Sequence, residues 1–319
     1  MGTGIYIGVN NAAKKVSNGY IGINGTAKKI VKGYIGDANG KPKLFYTSDN
    51  LPPKASLNSM SWADIKTVVD AGKASEYWSV GDAKYVTLNG TVGRTTISGT
   101  YACFIIGFDH NWYLEGKGMH MQFARINGVG HDIAFADNKY ALDMAERSGY
   151  FSMNRYRDNS NGWKNSLMRT TICSDFYDIL PNDLQSVITP CTKYTDNSTS
   201  YQNELPEMTI TNAHNYMTKT SDNIFLLSEV EIFGGNAEIG NPCERYYQDM
   251  YAYYANGEST IRATHLDRHN PEAFWWTRTR AINVNEEDDM MCFVHVNDSG
   301  LPSYDYATRS YGFAPAFKI

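Results

Sequence analysis

Phe274-Trp275-Trp276-Thr277 reads as a strand, in which adjacent side chains point to opposite faces of a sheet. One indole is then expected in the core with Trp276 framing a site; burial of both between two layers is the alternative. Outward from this stretch, candidate strands fall at 84–88, 103–107, 224–227, 292–296 and 313–317, and candidate helices at 163–173, 176–180 and 243–253. The two kinds of element are interspersed without regular βαβ alternation. No Gly-x-Gly-x-x-Gly or phosphate loop follows any strand, so an α+β class is expected and a nucleotide-binding fold is disfavoured.

The chain of 319 residues is long enough for about two folded units, and its 42% apolar and 13% aromatic content argues against extended disorder. No run approaches the roughly 20 apolar residues that span a bilayer, and the start Met1-Gly2-Thr3-Gly4 lacks a basic head and apolar signal core, so neither membrane insertion nor signal-directed export is expected. Cys103, Cys173, Cys191, Cys243 and Cys292 are odd in number and contain no CxxC pair. Reduced, buried thiols are the simplest reading.

Tyr6-Ile7-Gly8, Tyr20-Ile21-Gly22 and Tyr34-Ile35-Gly36 recur every 14 residues, with Lys14-Lys15 and Lys28-Lys29 in step. Turns at Asn10-Asn11, Asn24-Gly25 and Asn39-Gly40 predict a small β-meander over 1–47, a segment with little core of its own. Residues 1–46 hold seven lysines against Asp37, a net +6, so the rest carries −11 of the chain's −5; the two parts face different partners. Pro52-Pro53 breaks pairing, and a linker with a short helix is expected over 48–75, capped by Ser61, with Ile65, Val68 and Val69 inward and Gly72 as its stop. The main domain is expected over 76–319.

Six motifs in order carry a resemblance: Trp78-Ser79-Val80-Gly81-Asp82, Gly107-Phe108-Asp109-His110-Asn111, Gly162-Trp163-Lys164-Asn165-Ser166-Leu167-Met168-Arg169, the run from Phe225 to Gly234, Trp275-Trp276-Thr277-Arg278, and Gly312-Phe313-Ala314-Pro315-Ala316-Phe317. From about residue 60 onward the chain resembles an uncharacterised domain family frequent in phages and prophages of Gram-positive bacteria. The Tyr-Ile-Gly repeats resemble segments found ahead of that domain in phage structural proteins. The Trp-Trp motif, polar stretch and Gly-x-x-Pro-Ala tail resemble the C-type lectin-like fold shared by formylglycine-generating enzymes and variable phage adhesins. This implies a C-type lectin-like domain that displays a binding face near the carboxy terminus.

Residues 277–311 have the composition of a paratope, since Tyr offers large contact area at small entropic cost and Asn, Ser and Asp add adaptable hydrogen bonds. The candidate ligand-binding residues are Trp276, Arg278, Arg280, Asn283, Asn285, Glu287, Asp289, Tyr304, Tyr306 and Tyr311; an ordinary polar loop whose tyrosines pack at home is the competing reading. His110, His120 and His131, with Asp109 and Asp132 beside two of them, raise a metal site, but the spacing matches no ligand pattern and no metal is expected. The acidic run Glu286 to Asp289 lacks calcium-loop spacing.

No Gly-x-Ser-x-Gly is present, and Cys292 has no nearby cysteine with which to hold the copper that a formylglycine-generating type oxidase would require. Glu229 and Glu231 are a carboxylate pair whose spatial separation sequence does not give. No catalytic residue, cofactor or enzymatic activity is therefore expected. The lysine-rich repeat lacks an aromatic stacking platform, so nucleic acid is not an expected partner. The expectation is a phage virion structural protein, tail-associated, located in the virion and assembled as a homotrimer or higher oligomer. Residues 1–47 would attach to other virion proteins while the carboxy-terminal face binds a host surface carbohydrate or protein. A non-adhesive decoration or spacer protein, and less so a cell-wall hydrolase, are the alternatives.

Overall fold

A computed structural model describes residues 6–9, 12–15, 19–23, 25–30, 32–36, 42–47, 51–127, 130–132, 134–135, 151–160, 162–196, 212–255, 274–282, 284–285, 290–297 and 299–319. Two units emerge, Met1–Pro53 and Lys54–Ile319. In the first, β1 (Tyr6–Val9) pairs with β2 (Ala12–Lys15), β3 (Gly19–Ile23) with β4 (Thr26–Ile30), and β5 (Lys32–Gly36) with β6 (Pro42–Thr47). The 14-residue repeat is thus a hairpin. Where a continuous meander was expected, each ribbon pairs within itself, and among the described residues no ladder joins one ribbon to the next. Gly25 takes φ +77°, the left-handed value its turn requires.

The second unit starts at once after Pro53. Ser61 caps α1 (Trp62–Asp70) through the Asp64 amide at 3.1 Å, and Ile65, Val68 and Val69 are buried as the pattern predicted. Trp62 packs edge-on against Phe317, 6.4 Å between centroids, so this helix belongs to the main unit's core; the expected 48–75 connector ends at Pro53 instead.

An antiparallel sheet forms the centre: β7 (Ala83–Val92), β8 (Thr95–Phe108), β9 (Met119–Asn127) and β10 (Gly130–Asp132) in that order, with β16 (Ala316–Lys318) also on β9. The tail is drawn in on two sides. Met119 and Ile319 exchange backbone hydrogen bonds, while Phe225 and Ala316 bond reciprocally from the opposite edge. Two smaller antiparallel sheets, β11 (Cys191–Asp196) with β12 (Met217–Asp222), and β13 (Trp275–Arg280) with β14 (Cys292–Val296) and β15 (Pro302–Tyr306), join short helices such as α2 (Ala74–Tyr77) and α5 (Asn182–Gln185) in an α+β fold. Among the described residues no helix is long and apolar enough to cross a membrane.

Three element expectations are corrected. The run 224–227 is buried but irregular, bridging Ala316 through Phe225 and accepting the Arg278 amide at the Leu227 carbonyl, because Ser228 and Glu231 form a capping box that turns the chain into α6 (Glu229–Phe233). A buried apolar run of that length does not distinguish strand from coil by periodicity. The expected helix 243–253 is two short turns, a 3-10 turn over Pro242–Tyr246 and α7 (Ala252–Ala255). Between them, Asp249 gives its carbonyl to His110 Nε2 at 2.7 Å, and the Gln248 side-chain amide donates to the Tyr194 carbonyl. Of 313–317, only the last residues are strand.

Candidate functional site

All six residues of β13 are buried, so the strand is covered on both faces and the two tryptophans share one fate. Trp276 donates Nε1–H to the Phe151 carbonyl at 2.9 Å and packs 4.7 Å from the Tyr311 ring. Arg278 clamps Glu231 with both terminal nitrogens and also donates to the Leu226 carbonyl at 2.8 Å. Arg280 donates to Asn159 Oδ1 at 2.9 Å and to Asp196 Oδ2 at 3.2 Å. Tyr311 is buried and donates its hydroxyl to Asp305.

These four residues were expected on a displayed face; they are internal, and the two arginines reach this depth because carboxylate, amide and carbonyl oxygens take most of their donors, Arg278 Nε alone being buried without a partner. Tyr304 and Tyr306 are half-buried against Ala281, Cys292 and Val294. Asn285 is exposed. Asn283, Glu287 and Asp289 lie outside the described residues.

Arg278 opens onto a sealed ionic network. Lys193 on β11 donates to Glu115 at 2.9 Å, to Glu231 at 2.8 Å and to the Tyr251 hydroxyl at 3.0 Å, and its ammonium lies 4.3 Å from the Phe225 ring centroid. Burial pulls this ammonium down, but Cys191, Glu115 and Glu231 together outweigh it and hold it above the ordinary lysine range. Glu115 and Glu231 stay below the usual carboxylate range despite burial, held there chiefly by Lys193 and Arg278 respectively.

The metal reading meets its test here. His110, Glu115 and His120 do converge, with ligand-type atoms within 4.8 Å of one another, although the sequence had paired the histidines with different carboxylates. The Lys193 ammonium already sits on the Glu115 oxygen that a metal would need, and burial keeps His120 neutral, well below the ordinary imidazole range. Two anions and two cations balance, and a divalent ion would leave an uncompensated buried charge. Glu229, the other member of the pair weighed for hydrolysis, accepts three backbone N–H groups, from Glu238, Ile239 and Gly240, and holds a loop.

With these ionisable groups sealed, the open chemistry lies elsewhere. The motif from Gly162 to Arg169 builds it. Gly162 takes φ +50°, and a Cβ there would stand 2.5 Å from the Asp196 carbonyl oxygen. Trp163 Nε1 and Arg169 Nε then both reach Asp222, at 3.1 and 2.6 Å, and the chain widens into a π-helical turn, Met168–Ile172, before α4 (Cys173–Asp178). Single π-turns of this kind concentrate at functional sites.

Against this turn lies an open cleft of about 350 Å³ lined by Asn154, Arg155, Tyr156, Asp158, Asn165 and Thr170 among others. Asn154 ties the cleft together: its Oδ1 accepts from the Leu167 amide at 3.0 Å, and its backbone N–H donates to the Ala307 carbonyl just past β15 at 2.9 Å. Arg157 lies 4.0 Å over the Tyr306 ring, and Tyr156 is 78% exposed. Sequence reasoning missed this loop. Its signal was Asn154-Arg155-Tyr156-Arg157-Asp158, the same mixture of Tyr, Arg, Asn and Asp that had drawn attention to 277–311.

The family described as "Domain of unknown function (DUF6273)" matches residues 140–319, more than half of the chain. The chain belongs to the DUF6273 family. Its DUF6273 segment holds the Gly162–Arg169 motif, the cleft, β13 to β16 and both internal arginines. No curated protein and no solved structure matches the chain.

Proposed function

We propose that this DUF6273 protein is a non-enzymatic recognition protein of a phage particle. Residues 1–47 moor it to other virion proteins, and its main unit, on a C-type lectin-like scaffold, grips a host surface carbohydrate or protein. The return of β16 to the central sheet supports the scaffold reading. The observation that carries the recognition reading is the cleft beside the π-helical turn, where amide, hydroxyl, carboxylate and guanidinium groups surround an exposed tyrosine. Such groups recognise a polyhydroxylated ligand by many adaptable hydrogen bonds around an aromatic platform. Tyr306, half-buried beneath Arg157, joins this face to the stretch that sequence singled out.

Purified full-length protein is expected to cosediment with Gram-positive cell walls. Tyr156→Ala and Asn165→Ala are each expected to lower the bound fraction several-fold with an unchanged thermal midpoint. Undiminished binding by both variants rejects the cleft, and release of soluble wall fragments rejects the non-enzymatic reading. The burial of Trp276, Arg278, Arg280 and Tyr311 favours the spacer reading instead, which predicts no cosedimentation of the parent protein.

A further inference from the structure

Ahead of the DUF6273 segment, the one-turn helix α3 (Trp112–Glu115) shows two large aromatic side chains to solvent, Trp112 at 59% exposure and Tyr113 at 60%. The other five tryptophans, Trp62, Trp78, Trp163, Trp275 and Trp276, are buried. Leaving an indole in water forgoes the stabilisation that burying its large apolar surface would supply. The turn that holds it there is strained as well. Asp109 and Asn111 are the two non-glycine residues with positive φ among the described residues, at 47° and 46°.

That strain is held from several directions. The Asn111 amide donates to the Tyr247 carbonyl at 2.6 Å, and the amides of Leu114 and Glu115 return to the Asn111 carbonyl. Asp109 and Gly118 close a loop through an amide-to-carbonyl bond at 2.7 Å and an amide-to-carboxylate bond at 2.9 Å. Glu115, three residues after the tryptophan, is the carboxylate that Lys193 fastens inside the core, and Lys318 donates to its carbonyl. The sealed ionic network is thus the foundation of an exposed aromatic turn.

We infer that Trp112 and Tyr113 form a saccharide-binding site, separate from the cleft, which takes a β-linked pyranose chain. The two rings stand at 89° with centroids 6.3 Å apart, a corner with one flat wall and one edge. A pyranose with equatorial substituents offers the matching shape, a flat C–H face for the indole and a rim of hydroxyls. The surroundings fit that rim. Lys117 lies 6.0 Å from the Trp112 ring centroid, and Asp109 and Asp249 are exposed, so donors and acceptors of both signs lie in the neighbourhood of the rings. The Asp249 carbonyl accepts from His110 Nε2 at 2.7 Å, which ties that residue to the turn. A hydrocarbon ligand would leave these charges desolvated and unpaired; a polyhydroxylated one hydrogen-bonds to them.

Because Trp112 is the one exposed indole of the six, iodide quenching of tryptophan emission in the full-length protein reads this site. A β-1,4-linked N-acetylglucosamine hexaose at millimolar concentration is expected to shield the quenchable emission. Trp112→Ala is expected to abolish that emission and weaken hexaose binding by calorimetry about tenfold. Trp112→Phe retains part of the binding, and Tyr156→Ala leaves the shielding intact, which separates this site from the cleft. The inference is overturned if the hexaose leaves quenching unchanged. It is equally overturned if Trp112→Ala, folded with the parent's thermal midpoint, binds the sugar as tightly as the parent.

Discussion

Glu244 and His295 are both sealed inside the main unit and titrate in opposite directions. Burial pushes the Glu244 carboxyl up to about 8, against the pull of Arg278, the Asp196 amide and the Thr279 hydroxyl. Burial likewise pulls His295 down to about 4. Folded Glu244 keeps a proton that the unfolded chain, with a value near 4.5, releases; its contribution is therefore complete below that pH and is lost as pH rises through about 8. His295 contributes fully above 6.5 and loses its contribution as pH falls through about 4. Urea unfolding of Glu244→Gln across this range is expected to show a flatter decline in stability between pH 5 and pH 8 than the parent; an identical slope would mean that Glu244 is ionised in the fold. Neither titration was legible in sequence. A glutamate inside a polar 3-10 turn and a histidine in a strand take their values from side chains that converge only in space.

At the level of elements, what was readable was local. Ser61, the spacing of Ile65, Val68 and Val69, and Gly72 at φ +67° all act within two or three turns, so α1 stands where it was expected. The β13 to β15 sheet shows the limit. Alternation says which side chains share a face, yet it does not say that both faces are covered, because Phe151, Leu226 and Glu231 come from elsewhere in the chain to cover them. The motif at Gly162 was visible as a motif, whereas its π-turn and cleft were not. Gly162→Ala tests whether that turn needs its glycine. With φ +50° and a carbonyl oxygen 2.5 Å from the new Cβ, the cost is expected to be ~1–3 kcal/mol, read as a lowered urea midpoint. An unchanged midpoint would show that the turn relaxes freely.

For the whole molecule, the amino-terminal unit poses the open energetic question. Its three ribbons each pair internally, and Tyr20, Ile21, Ile23 and Tyr34 are exposed at 43–61%. Isolated two-stranded ribbons are marginal in water, so association with copies of the chain or with another protein is expected to stabilise them. Sedimentation of the intact 35.8 kDa chain is expected to show a trimer or larger species; a monomer at micromolar concentration counts against that assembly.

Sequence by itself determined the hairpin repeat, the break at Pro52-Pro53, the capped helix, the α+β class and the charge asymmetry, since each depends on neighbours along the chain or on composition alone. Tertiary structure decided which polar aromatic residues meet solvent. Arg278, Arg280 and Trp276 read the same in sequence as Arg155, Tyr156 and Trp112, but the first three bond to partners from distant parts of the chain and the others face water. Burial is a property of the residues that arrive from elsewhere, and the local chain carries no record of them.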